Sequence, residues 1–296
     1  MSNSPYGPHR RFVAAAEGST ELWRIPVVFV GTYFGGVLLG QILLDSVVQL
    51  LAPDVYNAFR GGSFSPNPAY TLSQLALFAA FAAGFVASAR LLHERGLWSM
   101  IGHLHDAFQD FRAVLLWVGG LYLFVTILGP SPDLPLLRGE ISAISWVLLL
   151  PLTFAALLIQ TGTEEIVFRG YLQQQLGARF SSPLVWLVAP AIFFGLLHWF
   201  NQPGPNAWII VFLITLSALA YGDLTARTGN LGAAWALHFV NNFFAVAVTA
   251  VNDDLSGLAL YTFDVDWSVP LPTSAVLIEA GLIFCGWLAA RVAIRA

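Results

Sequence analysis

The sequence predicts an all-α fold, a polytopic membrane helix bundle of about eight transmembrane helices forming a single integral membrane domain, 1–296. Three observations predict it. Only 10% of residues are charged against 57% hydrophobic, whereas a water-facing domain carries about 25% charged residues; so few charges cannot coat a soluble surface of this size. The apolar residues fall into long runs at approximately 25–44, 71–92, 113–128, 143–161, 184–200, 207–222, 231–250 and 273–290, each near the roughly 20 residues a bilayer demands. No alternating ten-residue pattern suggests a β-barrel.

Taken in order, the first element is polar. Residues 1–24 contain Arg10, Arg11 and Arg24 and lack an early apolar core with a small-residue cleavage site, so a cleaved signal peptide is not expected and the segment is expected to be cytoplasmic. All 13 Lys and Arg residues are Arg. With eight spans, ten arginines (10, 11, 24, 90, 95, 112, 179, 227, 291 and 295) face the cytoplasm, Arg60 and Arg138 lie opposite, and Arg169 lies in the membrane. That positive-inside bias places both termini in the cytoplasm. The Pro/Gly/Asn-rich connections 52–70, 129–140 and 251–271 then lie outside, the last with Asp253, Asp254, Asp264 and Asp266. Segment 93–111, with His93, His103 and His105 among acidic residues, reads as a solvated or interfacial helix rather than a metal site. Cys285 is the sole cysteine, which excludes an intrachain disulfide.

A charge at mid-bilayer costs about 2.5–3.5 kcal/mol and so tends to mark function. Three clusters stand out: Glu164-Glu165-Ile166-Val167-Phe168-Arg169, then Phe194 with His198, then His238 with Asn241 and Asn242. Helical residues four apart share a face while neighbours are turned by about 100°. Glu165 and Arg169 are therefore expected to pair, leaving Glu164 aimed elsewhere as a general-base candidate. Taken alone, these charges serve equally to join helices. His238 and Asn242 also share a face and are expected to converge as two donors for an oxyanion, with Asn241 turned away as packing glue.

The clusters share a depth only if the helix carrying Glu164 continues to about Leu176, with the cytoplasmic turn at 177–183. Gly177 and Pro183 read as the stop signals. At ~1.5 Å per residue, Glu164 and His198 then lie roughly 20 and 22 Å from that turn, and His238 about 13 Å from the turn near Gly229. Tilt and kinks, at Pro151 or Pro190, are expected to absorb the difference.

These residues resemble the CAAX-processing and bacteriocin-processing membrane proteases, the Abi or type II CAAX protease family. Its pattern is Glu-Glu with Arg four residues after the second Glu, then Phe-x-x-x-His, then His-x-x-x-Asn. Here it reads Glu164-Glu165 with Arg169, Phe194 with His198, and His238 with Asn242, over about residues 141–250. The resemblance implies a protease-like core at 141–250 in a multi-pass prokaryotic cell-membrane protein. Glu164 and His198 would activate a water, His238 and Asn242 would hold the oxyanion, and Glu165, Arg169 and Phe194 would support the site. It implies a peptide or protein substrate, membrane-associated ones included, with neither cofactor nor metal, and nothing points to nucleic acid. Two other readings stay open. Glu164, His198 and His238 could supply three zinc ligands with an open fourth position, although no His-Glu-x-x-His motif is present. Alternatively the buried charges could serve a transporter or a non-proteolytic scaffold.

Overall fold

The computed structural model describes residues 5–51, 53–60, 66–129, 134–199, 204–253 and 255–295. Asp254 lies outside them, as do Met1–Ser4 and parts of the 52–70 and 129–140 connections. In chain order the helices are α1 (Gly7–Val13), α2 (Arg24–Leu50), α3 (Pro53–Arg60), α4 (Pro68–His93), α5 (Trp98–Ile101), α6 (Leu104–Leu128), α7 (Ala143–Arg179), α8 (Leu184–Leu197), α9 (Ala207–Thr228), α10 (Gly232–Val248) and α11 (Thr273–Ala293). Among the described residues six of them, α2, α4, α6, α7, α9 and α11, are long and apolar enough to cross a membrane, and α8 and α10 are shorter apolar helices. Together they occupy the eight expected runs, as a polytopic helical membrane bundle.

Local chemistry sets the helix starts. Asn67 caps α4 by accepting from Tyr70 N (3.0 Å), with Pro68 in the first turn, where a missing N–H costs nothing. Ser142 caps α7 in the same way through Ser145 N (3.0 Å). Leu116, Ile127, Ile144 and Leu148 are more than two-thirds exposed; on a membrane bundle such side chains are the lipid-facing surface. The interior relies on small residues that let backbones approach. A Cβ on Gly232, at the start of α10, would sit 1.9 Å from the Ala107 carbonyl oxygen of α6.

Both ends of the chain gather at one end of the bundle. Tyr6 donates to Asp223 Oδ1 (2.8 Å) and Trp287, near the C-terminus, donates to Asp223 Oδ2 (2.9 Å). At the opposite end Thr71 donates to Leu255 O (3.1 Å) and Asn206 to Val269 O (2.7 Å). An even number of crossings follows.

Three points go beyond or against the expectations. First, the connections at that opposite end hold short strands, which no expectation addressed. β1 (Leu136–Arg138), β2 (Thr249–Val251) and β3 (Tyr261–Phe263) form a small sheet in the order β1-β3-β2, β1 antiparallel and β2 parallel to β3. Each strand has three residues, too few for alternation to show in a sequence. Second, Gly177 does not stop α7, which runs to Arg179; it is a close-approach site where a Cβ would meet Val13 and His9 of α1 at 2.9 and 3.0 Å. Third, segment 93–111 does not begin in solvent, since His93 and Arg95 are each only 4% exposed.

The depth mismatch resolves in the same region. Segment 98–102 reaches inward until the Met100 carbonyl oxygen rests on Gly170, where a Cβ would lie 2.5 Å away. The turn before α10 is seated on that segment, with Leu231 N donating to Ile101 O (3.0 Å). Starting deeper, α10 needs fewer residues to carry His238 to the level of Glu164.

Candidate active site

Pro151 interrupts one hydrogen bond of α7 without ending it, so the helix carries Glu164 and Glu165 through the bundle. Immediately after Glu165 its hydrogen bonding widens to a π-helix over Ile166–Gln173, and every residue of that stretch is buried. Such widened turns are rare and often accompany functional sites.

Glu165 and Arg169 pair as the four-residue spacing predicts, Nη1 to Oε1 at 2.9 Å, at 0% and 3% side-chain exposure. Arg169 also donates to the Ala218 carbonyl of α9 (3.2 Å). Its guanidinium lies against three rings, Phe194 (4.9 Å), Tyr221 (5.1 Å) and Phe168 (5.9 Å). A delocalised cation tolerates that environment better than an ammonium would.

His238 joins the two glutamates. Its Nδ1 lies 2.7 Å from Glu165 Oε1 and its Nε2 lies 3.3 Å from Glu164 Oε2. Tyr221 stacks on the imidazole at 4.7 Å and 14°, fixing the ring plane in which both nitrogens meet carboxylates. Glu164 Oε2 also accepts from Gln160 Nε2 (2.8 Å), and Gln160 Oε1 in turn accepts from Asn242 Nδ2 (2.9 Å).

His198 ends α8, and its Nδ1 lies 2.9 Å from the Phe194 carbonyl oxygen. A carbonyl only accepts, so Nδ1 carries a proton, and in the neutral ring Nε2 is then the lone pair. The Phe194 ring stands between the histidines, 5.0 Å from His198 and 6.2 Å from His238. Exposure divides the cluster: Glu165, Arg169 and His238 are sealed, whereas Glu164, His198 and Asn242 are half-buried.

A family model described as type II CAAX prenyl endopeptidase Rce1-like matches residues 145–244. This segment is similar to that family over about a third of the chain. It contains all seven motif residues, from Glu164 to Asn242. An uncharacterized protein of Bacillus subtilis (strain 168), YyaK, is 27% identical over 149 residues, half of this chain and half of that protein. The chain thus spans about half the length of that curated relative. No solved structure matches.

Within the matched segment, the structure brings Glu164, Glu165, Arg169 and His238 into direct contact and sets Phe194 and His198 beside them. His238 and Asn242 do not face an open point together. Their polar atoms meet Glu164 and Gln160 respectively, so the two are joined through Glu164. Asn241 packs as expected, accepting from the Tyr122 hydroxyl of α6 (2.9 Å). Sequence reasoning missed Gln160 and Tyr221. Gln160 was findable: it is an amide in an apolar run, four residues before Glu164, the same spacing that reveals Arg169. Nothing in the sequence singles out Tyr221 from other aromatic residues of α9. Among the described residues no group of three or more His, Cys, Asp or Glu side chains is arranged to hold a metal ion.

Proposed function

We propose that this protein is an intramembrane endopeptidase in which Glu164 and His198 activate the attacking water. The observation that carries the proposal is the division of the polar cluster into a half-buried side with Glu164, His198 and Asn242 and a sealed side with Glu165, Arg169 and His238. A water between the Glu164 carboxylate and the free Nε2 of His198 gives up a proton to Glu164 as its oxygen attacks the peptide carbonyl carbon. The carbonyl oxygen becomes an oxyanion. Asn242 has a second amide hydrogen to offer it, since only one is used by Gln160. Once Glu164 holds the water's proton it no longer competes for His238 Nε2–H, which becomes the second donor. Glu164 then passes its proton to the departing amine as the C–N bond breaks. Glu165 and Arg169 keep His238 in the orientation this requires, and no cofactor enters the scheme.

The substrate class is a peptide or protein presented at or within the bilayer. The arginine count supports a cytoplasmic location for the end bearing both termini. The test is purified protein with a peptide library, read by mass spectrometry, beside Glu164→Gln. Wild type is expected to generate defined cleavage products that withstand exhaustive chelation, and Glu164→Gln is expected to lose about 10²–10⁴-fold in rate with its melting temperature kept. A Glu164→Gln protein that cuts near the wild-type rate would sink the mechanism. Activity lost to chelator and restored by zinc would instead place a metal on Glu164, His198 and His238.

A further inference from the structure

We propose that Gln160 is a positioning residue, the link in a one-way chain of hydrogen bonds that aims the Asn242 carboxamide at the oxyanion; this rests on the proteolytic reading above. The chain runs from Tyr122 on α6 to Glu164 on α7. Tyr122 donates to Asn241 Oδ1 (2.9 Å), Asn241 Nδ2 faces Asn242 Oδ1 (3.5 Å), Asn242 Nδ2 donates to Gln160 Oε1 (2.9 Å), and Gln160 Nε2 donates to Glu164 Oε2 (2.8 Å).

Its direction is dictated at the Glu164 end. An ionised carboxylate only accepts, so Gln160 must present its NH2 there. The Gln160 oxygen then faces away and is free only to accept, which fixes Asn242 as donor and turns the Asn242 oxygen toward Asn241. Each donor in the chain consequently points toward Glu164. The terminal torsion of an asparagine is broad and roughly two-fold, so a carboxamide without such a partner turns over readily. Turned over, Asn242 would present an oxygen to a developing negative charge. Gln160 is buried, at 6% exposure, and so holds its partner without competing for substrate. The 3.5 Å separation between the neighbouring asparagines is the weakest link. It sets how strongly Tyr122 is felt at the site.

The experiment compares Gln160→Met, Tyr122→Phe and their double variant in one detergent. Gln160→Met keeps the chain length and removes both polar atoms. Its kcat should fall about 10- to 100-fold, up to the loss expected for one oxyanion donor, with KM within about two-fold of wild type. Tyr122→Phe should lower kcat by about two-fold to ten-fold, the worth of one hydrogen bond. The double variant should be slower than Gln160→Met, because Asn242 then loses the partners that orient it on both sides. A packing role alone would give additive losses of stability without the kcat split.

A second readout needs no substrate. In asparagine-labelled protein, the side-chain amide resonances of Asn242, assigned by their absence in Asn242→Asp, should shift in Gln160→Met and less in Tyr122→Phe. Unmoved Asn242 resonances, or an unchanged kcat in Gln160→Met, would overturn the proposal. If Gln160→Met does not fold, Tyr122→Phe decides through the Asn241 and Asn242 resonances. A wild type that cuts nothing overturns the proteolytic reading alone, since the resonances still decide whether the chain exists.

Discussion

Two buried polar clusters hang on the same helix, α7, and they are built on opposite principles. The first, around Glu164, Glu165, Arg169 and His238, balances charge against charge. The second lies at the end of the bundle that holds both termini. There Tyr171 and Gln175 meet His93 (2.9 and 3.0 Å), Ser19 meets the same ring (2.7 Å), and Arg95 donates to Gln174 and to the Gly170 and Ser99 carbonyls. Burial lowers Arg95 only to about 10, so it remains a cation at neutral pH, with only neutral acceptors among the described residues. The first cluster sets two carboxylates against a guanidinium and an imidazole, and Glu164 among them is partly exposed, at 13% of its side chain. The second is a joint, tying the N-terminal segment and the 93–99 stretch to α7. Buried charge alone therefore does not mark a site. Opposed groups sharing a partly open carboxylate are what the proposed site has and the second cluster lacks.

The comparison is sharpened most by removing the arginine from each cluster. Arg169→Ala leaves Glu165 and His238 as an uncompensated buried set, which costs about 3–5 kcal/mol, and cleavage should be lost with the stability. Replacing Glu165 and Arg169 together by Gln and Met should restore melting temperature better than it restores rate. Arg95→Met breaks bonds to neutral acceptors only, at about 1–3 kcal/mol, and should leave the rate within a few-fold. Equal losses of melting temperature in Arg169→Ala and Arg95→Met would erase the distinction between the clusters.

The two clusters also differ in how far the sequence reveals them. The eight apolar runs and the Glu165–Arg169 pair follow from periodicity within one helix, where a four-residue spacing fixes a shared face. His238 meeting both glutamates needs the relative depth of two helices, and that depends on the inward seat of segment 98–102, which no local pattern announces. The second cluster was hidden because its partners lie far apart along the chain. Arg95 and His93, read locally, look like the solvated flank of a span. Only their contacts with Tyr171, Gln174 and Gln175 of α7 make them interior. The N-terminal segment misleads similarly: its arginines read as a polar tail, yet His9, Phe12, Val13 and Ala16 are buried against the bundle.

That buried histidine yields a pH test of the joint. His9 stacks on Trp186 at 4.0 Å, and its Nε2 has no hydrogen-bond partner among the described residues. Burial pushes its pKa down to about 4, against about 6.5 for a free imidazole. Between those values the undocked segment binds a proton that the docked segment refuses, so docking strengthens as pH rises. The full contribution is present above about pH 6.5 and is lost as pH falls toward 4, amounting to about 2 kcal/mol between pH 7 and pH 5. Proteolysis at Arg10, Arg11 and Arg24 should therefore accelerate on acidification in wild type and stay flat in His9→Phe, which keeps the stack without the titration. Identical pH profiles for the two proteins would remove His9 from the joint.

The smallest expected effect probes whether the joint and the proposed active site are coupled along α7. Tyr171 lies within the π-helical stretch that also carries Arg169, so a disturbance could travel a short distance. Tyr171→Phe removes only the hydroxyl bonded to His93 Nε2 and keeps the edge-on contact with Phe85 at 5.2 Å. Losing one buried hydrogen bond costs about 1 kcal/mol, which for a chain of this size lowers the melting temperature by about 2 °C. The catalytic rate should stay within about two-fold of wild type, because Arg169 is held independently by Glu165, by Ala218 O and by its three rings. Rate and melting temperature measured side by side decide the matter. A rate falling more than about ten-fold with an unmoved melting temperature would mean that the π-helical stretch transmits the state of the joint to Arg169, and the two clusters would have to be treated as one.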